Sequence, residues 1–270
     1  MRLPKLCLGL VLVAPWVAGC NDTTGGARIK FRAAAAGPNA DPADIATFVN
    51  RLGFDVTLTQ AVLHIGAIYL NESNRISTAD DQFGCFGGGR DVGQVLAGPD
   101  GMDVNLLSPD PQFFSVIGEG TESRVHAASI WLTGRQPISV VQDPQPILTI
   151  AGLAQRGGIA WPFVGAMPIN HLTPSPSPAT PGINPICKRR IVAPVPVNIP
   201  LLQDGGLLLL RLDPYDLFVG TDFSSLPPPV RSIYQFEDRS DIAADQNVYA
   251  GLSTATNYIM FWQPPEGRSP

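Results

Sequence analysis

The chain has 270 residues, a formal net charge of −5, only 15% charged residues, and 27 each of glycine and proline. A mildly acidic chain without a long Lys/Arg-rich block lacks the electrostatic footprint of a nucleic-acid binder, which excludes DNA or RNA as a partner. So few charges and so many turn-formers exclude a helical bundle, and an apolar content of 44% excludes a globally disordered chain.

Residues 1–19 read as an export signal. Arg2 and Lys5 give a positive start, and an apolar run follows from Leu6 to Val17. That run is shorter than the roughly 20 apolar residues a membrane span needs, and small residues close it, so it is a signal peptide rather than a transmembrane helix. Val17-Ala18-Gly19-Cys20 resembles the lipobox of bacterial lipoproteins. The resemblance implies cleavage before Cys20 and diacylglycerol and palmitate on that cysteine, so that the membrane is held through a lipid anchor. Asn21 follows it where Asp would retain a lipoprotein at the inner membrane, which implies an outer-membrane address. Residues 20–27 are small and polar and form a flexible tether.

Residues 28–270 are expected to form a single domain. Its class is mostly β: an antiparallel β-sandwich with long Pro/Gly-rich loops and at most one or two short helices. Residues 28–34 alternate Ile29, Phe31 and Ala33 against Arg28, Lys30 and Arg32, the pattern of a half-buried strand. Residues 41–53 allow two readings. Asp41 and Pro42 open a helix that Gly53 would follow, or Thr47, Phe48 and Val49 turn through Asn50 to Gly53 as a hairpin. Residues 54–70 form the strongest β segment, apolar on both faces from Val62 onward, with Gly66 marking a bulge or a close backbone approach. Residues 71–89 are a polar, glycine-rich loop holding Cys85. Residues 102–107 and 124–132 are further strands. Residues 147–154 and 159–164 flank a turn at 155–158, the clearest hairpin. A proline-rich excursion spans about 172–186. Residues 191–199 carry Pro194 and Pro196 and make an edge strand at best, 207–212 are a buried run, and 247–262 supply one or two closing strands with Tyr258, Met260 and Trp262 alternating.

Chemistry is sparse. Cys85 and Cys187 remain once Cys7 leaves with the signal and Cys20 takes the lipid. In an oxidising compartment they pair, closing a loop whose restraint is worth about 4–5 kcal/mol. The histidines are His64, His126 and His171. None shows HxH or HExxH spacing, so zinc has no motif. His64 reads as a hydrogen-bonded core residue; with His126 and Met102 it would make the candidate copper site. Glu237, Asp238, Asp241, Asp245 and Asn247 offer oxygens to Ca²⁺, without EF-hand spacing. Gly251-Leu252-Ser253-Thr254-Ala255 lacks the last glycine of a hydrolase elbow. Residues 84–89 lack Walker or Rossmann patterning, and Lys188-Arg189-Arg190 reads as a solvated loop. No motif calls for a cofactor. The expectation is a membrane-anchored envelope lipoprotein with a non-enzymatic binding or scaffolding role, an envelope protein being one class of partner. The alternatives are a periplasmic copper- or zinc-binding lipoprotein and an envelope hydrolase.

Overall fold

The computed structural model describes residues 26–73, 91–97, 101–132, 146–169 and 190–267. Cys20, Cys85, Cys187, His171, Lys188, Arg189 and the proline-rich excursion lie outside the described residues.

The chain is mostly β, in two sheets. Nine strands form the first: β1 (Arg28–Ala36), β4 (Ala67–Asn71), β5 (Asp91–Leu96), β7 (Gln112–Phe113), β8 (Gly118–Thr121), β9 (Val125–Trp131), β12 (Ile191–Ile199), β13 (Leu207–Leu212) and β15 (Tyr258–Gln263). Six form the second: β2 (Thr47–Val49), β3 (Asp55–Ile65), β6 (Met102–Asn105), β10 (Leu148–Arg156), β11 (Ile159–Met167) and β14 (Tyr234–Phe236). Most pairings are antiparallel, as expected. The sheets are mixed, however, because β1 runs parallel to β13 and β11 parallel to β14. Alternation has a period of two in either direction, so a side-chain pattern carries no information on strand sense.

Gly66 joins the two sheets. β3 and β4 are one apolar run, but β3 pairs with β10 in the second sheet and β4 with β5 and β9 in the first. At the corner the Gly66 N–H donates to the Trp131 carbonyl, and its own carbonyl accepts from Ala97 N–H. The backbone therefore changes sheet without orphaning a polar group. The β10–β11 hairpin turns through Gly157 and Gly158, both at positive φ (58° and 78°), as a two-residue turn matched to strand twist requires.

Three α-helices stand among the described residues: α1 (Pro42–Ala46), α2 (Pro214–Phe218) and α3 (Ala243–Ser253). Of the two readings of 41–53 the hairpin holds; the helix that Asp41 and Pro42 open stops at Ala46, well short of Gly53, because Thr47, Phe48 and Val49 join the sheet. Asp41 caps α1 by accepting from Ala43 N–H, and β2 then turns back on β3. The same Asp-Pro opening starts α2, with Asp213 accepting from Tyr215 N–H. Residues 247–253 are helix and not a closing strand; only β15 closes the sheet. Tyr249 and Leu252 are apolar at a helical spacing there, and the α3 face carrying Val248 and Leu252 is buried.

The core runs through both sheets. Where α2 meets the second sheet it is aromatic: Phe163 lies 5.1 Å from Phe223 and 5.9 Å from Phe218 between ring centroids, with Phe236 at 5.6 Å. Asn50 pins this corner. Its amide N–H groups donate to the carbonyls of Phe218 (3.2 Å) and Thr221 (2.8 Å), and its oxygen accepts from Leu52 N–H (3.0 Å) and Phe54 N–H (3.1 Å). Arg190, expected in a solvated loop, is instead fully buried. It enters β12 beside β9, where its guanidinium donates to the Pro168 carbonyl and its own carbonyl accepts from Leu132 N–H. The chain path at the start of β12 carries its stem inward whatever its charge.

Candidate functional site

The register of β3 on β6 sets His64 opposite Asp103 and Ile65 opposite Met102. Residues directly opposite share a face and neighbours along a strand alternate, so His64 and Asp103 share one face while Ile65 and Met102 share the other. His64 Nδ1 lies 2.7 Å from Asp103 Oδ1, and the His64 side chain is 12% exposed against 73% for Asp103. Nε2 is buried with no hydrogen-bond partner. Gly101, at φ +67°, covers it: a Cβ there would sit 2.2 Å from Nε2. The nitrogen that would hold a metal or take a proton is thus closed off by backbone, and the ring acts as a cross-strand hydrogen-bonding group. Met102 is half-buried against the core on the opposite face. His126 is exposed on β9, in the other sheet. The register therefore separates the three residues of the expected copper site. Among the described residues no three His, Cys, Asp or Glu side chains come together as a metal-holding group.

The acidic stretch before α3 is turned on itself. Asp245 is fully buried, and its Oδ2 accepts from the N–H groups of Arg239 (2.9 Å) and Glu237 (3.3 Å). Burial pushes its carboxyl up to about 6, against the pull of those two donors. Arg239 forks onto Asp241, with bonds of 3.0 and 2.7 Å. Asn247 donates to the Gly220 carbonyl. Ser253, in the elbow-like stretch, donates its hydroxyl to the Ala250 carbonyl and ends a helix.

Two hollows are larger. A groove of about 710 Å³ crosses the outer face of β1, β5 and β8, lined by Arg28, Lys30, Asp91, Glu119 and Asp204. Lys30 Nζ lies 4.0 Å from Glu119, and the Lys30 backbone N–H donates to Asp204.

The other hollow arises where the first sheet fails to close. Its strand path runs from β12 through β9, β4, β5, β8, β1 and β13 to β15, so the sheet curls until its two edges meet. β12 and β15 have Cα atoms within 8 Å of each other, yet no ladder joins them among the described residues. Pro194 and Pro196 lack N–H donors, and the β12 register on β9 shifts around them. Along this seam lies a cleft of about 540 Å³ whose apolar wall is Pro200, Leu201, Met260, Phe261, Trp262 and Pro264. Asn198 and Gln203 add amides, and among the described residues no charged side chain lines it. Trp262 is held firmly. Its ring meets Phe31 edge-on at 5.6 Å and lies over Gly206, where a Cβ would fall 2.2 Å from the indole. Its Nε1 is buried without a hydrogen-bond partner. Leu201 (38%) and Phe261 (46%) are exposed at the lip.

The pattern of residues does not reveal this cleft. The available signals are the prolines of β12 and a last strand apolar on both faces, since Ile259 and Phe261 point outward while Met260 and Trp262 point inward. Comparison with protein-family models, curated proteins and solved structures finds no match for the chain.

Proposed function

We propose that this chain is an envelope lipoprotein, anchored through lipid on Cys20 at the outer membrane, with a non-enzymatic binding role exercised at the β12–β15 seam. The lipobox-like Val17-Ala18-Gly19-Cys20 supports the address. The observation that carries the binding role is the seam cleft: a preformed, mostly apolar hollow of about 540 Å³ whose polar lining residues are Asn198 and Gln203. Small-molecule sites have this size and character. Among the described residues no helix is long and apolar enough to cross a membrane.

Two measurements test the reading. Cells fed labelled palmitate should label the wild-type chain in the membrane fraction and leave Cys20→Ser unlabelled; equal labelling of both refutes the anchor. The neutral fluorophore N-phenyl-1-naphthylamine should bind the purified full chain saturably at one site. Leu201→Asp, which places a charge on the exposed lip, should abolish that signal while leaving the circular dichroism spectrum unchanged. Unsaturable or unaltered dye binding refutes the seam as a site.

A further inference from the structure

The two sheets present different outer faces. That of the first carries Arg28, Lys30, Asp91 and Glu119 around its groove. On the second, the β3–β10–β11 register sets Ala151 between Gln60 and Val164, and Leu153 between Thr57 and Pro162. These six alternate with the core residues Leu58, Ile150, Ala154 and Phe163 and so point away from the core; Val164 is 40% exposed. Among the described residues that face outward from these three strands, charge stands only at the ends. Asp55 marks one end, and His64 against Asp103 marks the other.

A neutral centre with a charged rim is the make-up of a protein–protein contact. Surfaces that lie on a membrane use Lys and Arg with Trp or Phe, and between those two ends the three strands turn none of these outward. Small side chains, Ala151, Ala160 and Ala166 among them, keep the face flat. A flat sheet face packs on another sheet about 10 Å away, with the strands aligned to within about 30°. A second copy supplies such a face. Two chains of net charge −5 repel over most of their surface, but not where both are neutral. The three long strands with their short flanking partners offer roughly 600 Å² from each copy, about 1,200 Å² in all, which reaches the lower end of specific interfaces. We propose that this chain pairs with a second copy of itself, sheet on sheet, through the outer face of β3, β10 and β11, with Leu153 and Val164 central to the contact.

Sedimentation equilibrium of the full chain in density-matched detergent, with micelles in large excess, reads the mass of the protein particle. A reversible dimer with a dissociation constant in the micromolar range is expected. Val164→Lys and Thr57→Lys change exposed residues on either side of β10. Each should weaken the dimer at least tenfold by placing an unpaired charge in the contact, with the circular dichroism spectrum unchanged. Gln94→Lys, at an exposed site on the outer face of the first sheet, should leave the dimer as it is. A chain that stays monomeric up to about 100 µM overturns the proposal and leaves the face to the membrane or to a different protein. A dimer that Val164→Lys and Thr57→Lys both leave intact, or that Gln94→Lys weakens equally, overturns it too. None of these outcomes depends on dye binding at the seam.

Discussion

Asn50 offers the sharpest test of how the fold is held. Its side chain bridges the β2–β3 turn and the end of α2 with four hydrogen bonds, and it is only 4% exposed. In Asn50→Ala, Leu52 N–H can turn to water because Leu52 is exposed, and the Phe218 carbonyl still accepts from Thr221 N–H. Phe54 N–H and the Thr221 carbonyl are left orphaned beside fully buried residues. At about 1–3 kcal/mol for each such group, the expected loss is about 2–6 kcal/mol, a large share of a typical domain's stability. Urea unfolding followed by far-ultraviolet circular dichroism should show a lower midpoint with an unchanged slope. Asn50→Asp separates the donor role from the acceptor role. Its carboxylate still accepts from the turn but faces two carbonyls, so the variant should be destabilised at neutral pH and recover part of the loss in acid. A cost below about 0.5 kcal/mol for Asn50→Ala would show that this side chain does not pin the corner.

Asp245 should make stability fall as pH rises. Its folded carboxyl is raised to about 6 from an ordinary 3.8, so its contribution is full below about pH 4 and is lost as pH climbs through 6. Asp245→Asn keeps an oxygen for both backbone donors and removes the charge. It should flatten that slope and stabilise the chain at pH 7 by on the order of 2 kcal/mol; parallel pH profiles for the two proteins would refute this. Gly101→Ala should destabilise more than Gly53→Ala, because both sit at positive φ but only Gly101 has the His64 ring against it, at 2.2 Å from a Cβ, while Gly53 faces open space. Repeating Gly101→Ala in a His64→Ala background should remove most of the excess, as a double-mutant cycle of unfolding free energies would read. Cys85 and Cys187 are expected to be joined in exported protein, and intact mass without reductant should be two hydrogens lighter than with it; two free thiols would refute the pairing.

Much of the strand inventory is legible in order. β1, the β10–β11 hairpin, β13 and the long 55–71 run are written in alternation, continuous apolar runs or glycine placement, because those signals act between neighbours along the chain. Short pieces such as β5, β8 and β14 are not. Their stability comes from the strands on either side, so Gly118–Thr121 has almost no side-chain pattern to read. α2 does carry a local signal, since Asp213-Pro214 repeats the opening of α1, although the apolar run before it reads only as a strand.

The candidate sites fared differently from the strands. His64, His126 and Met102 share the chemistry of a copper site, but strand register decided that Met102 faces away from His64 and sheet order decided that His126 lies elsewhere. The cleft was invisible for the same kind of reason. Residues 198–203 and 260–264 are far apart in the chain and become neighbours only because the nine-stranded sheet curls until its edges meet. The sequence by itself determined the β character and the local turns, and it alone carries the export-signal pattern; all of these depend on consecutive side chains. Only the tertiary structure decided strand sense, the sheet change at Gly66 and the open seam, because these follow from which remote edges pack together and from twist accumulated over many strands.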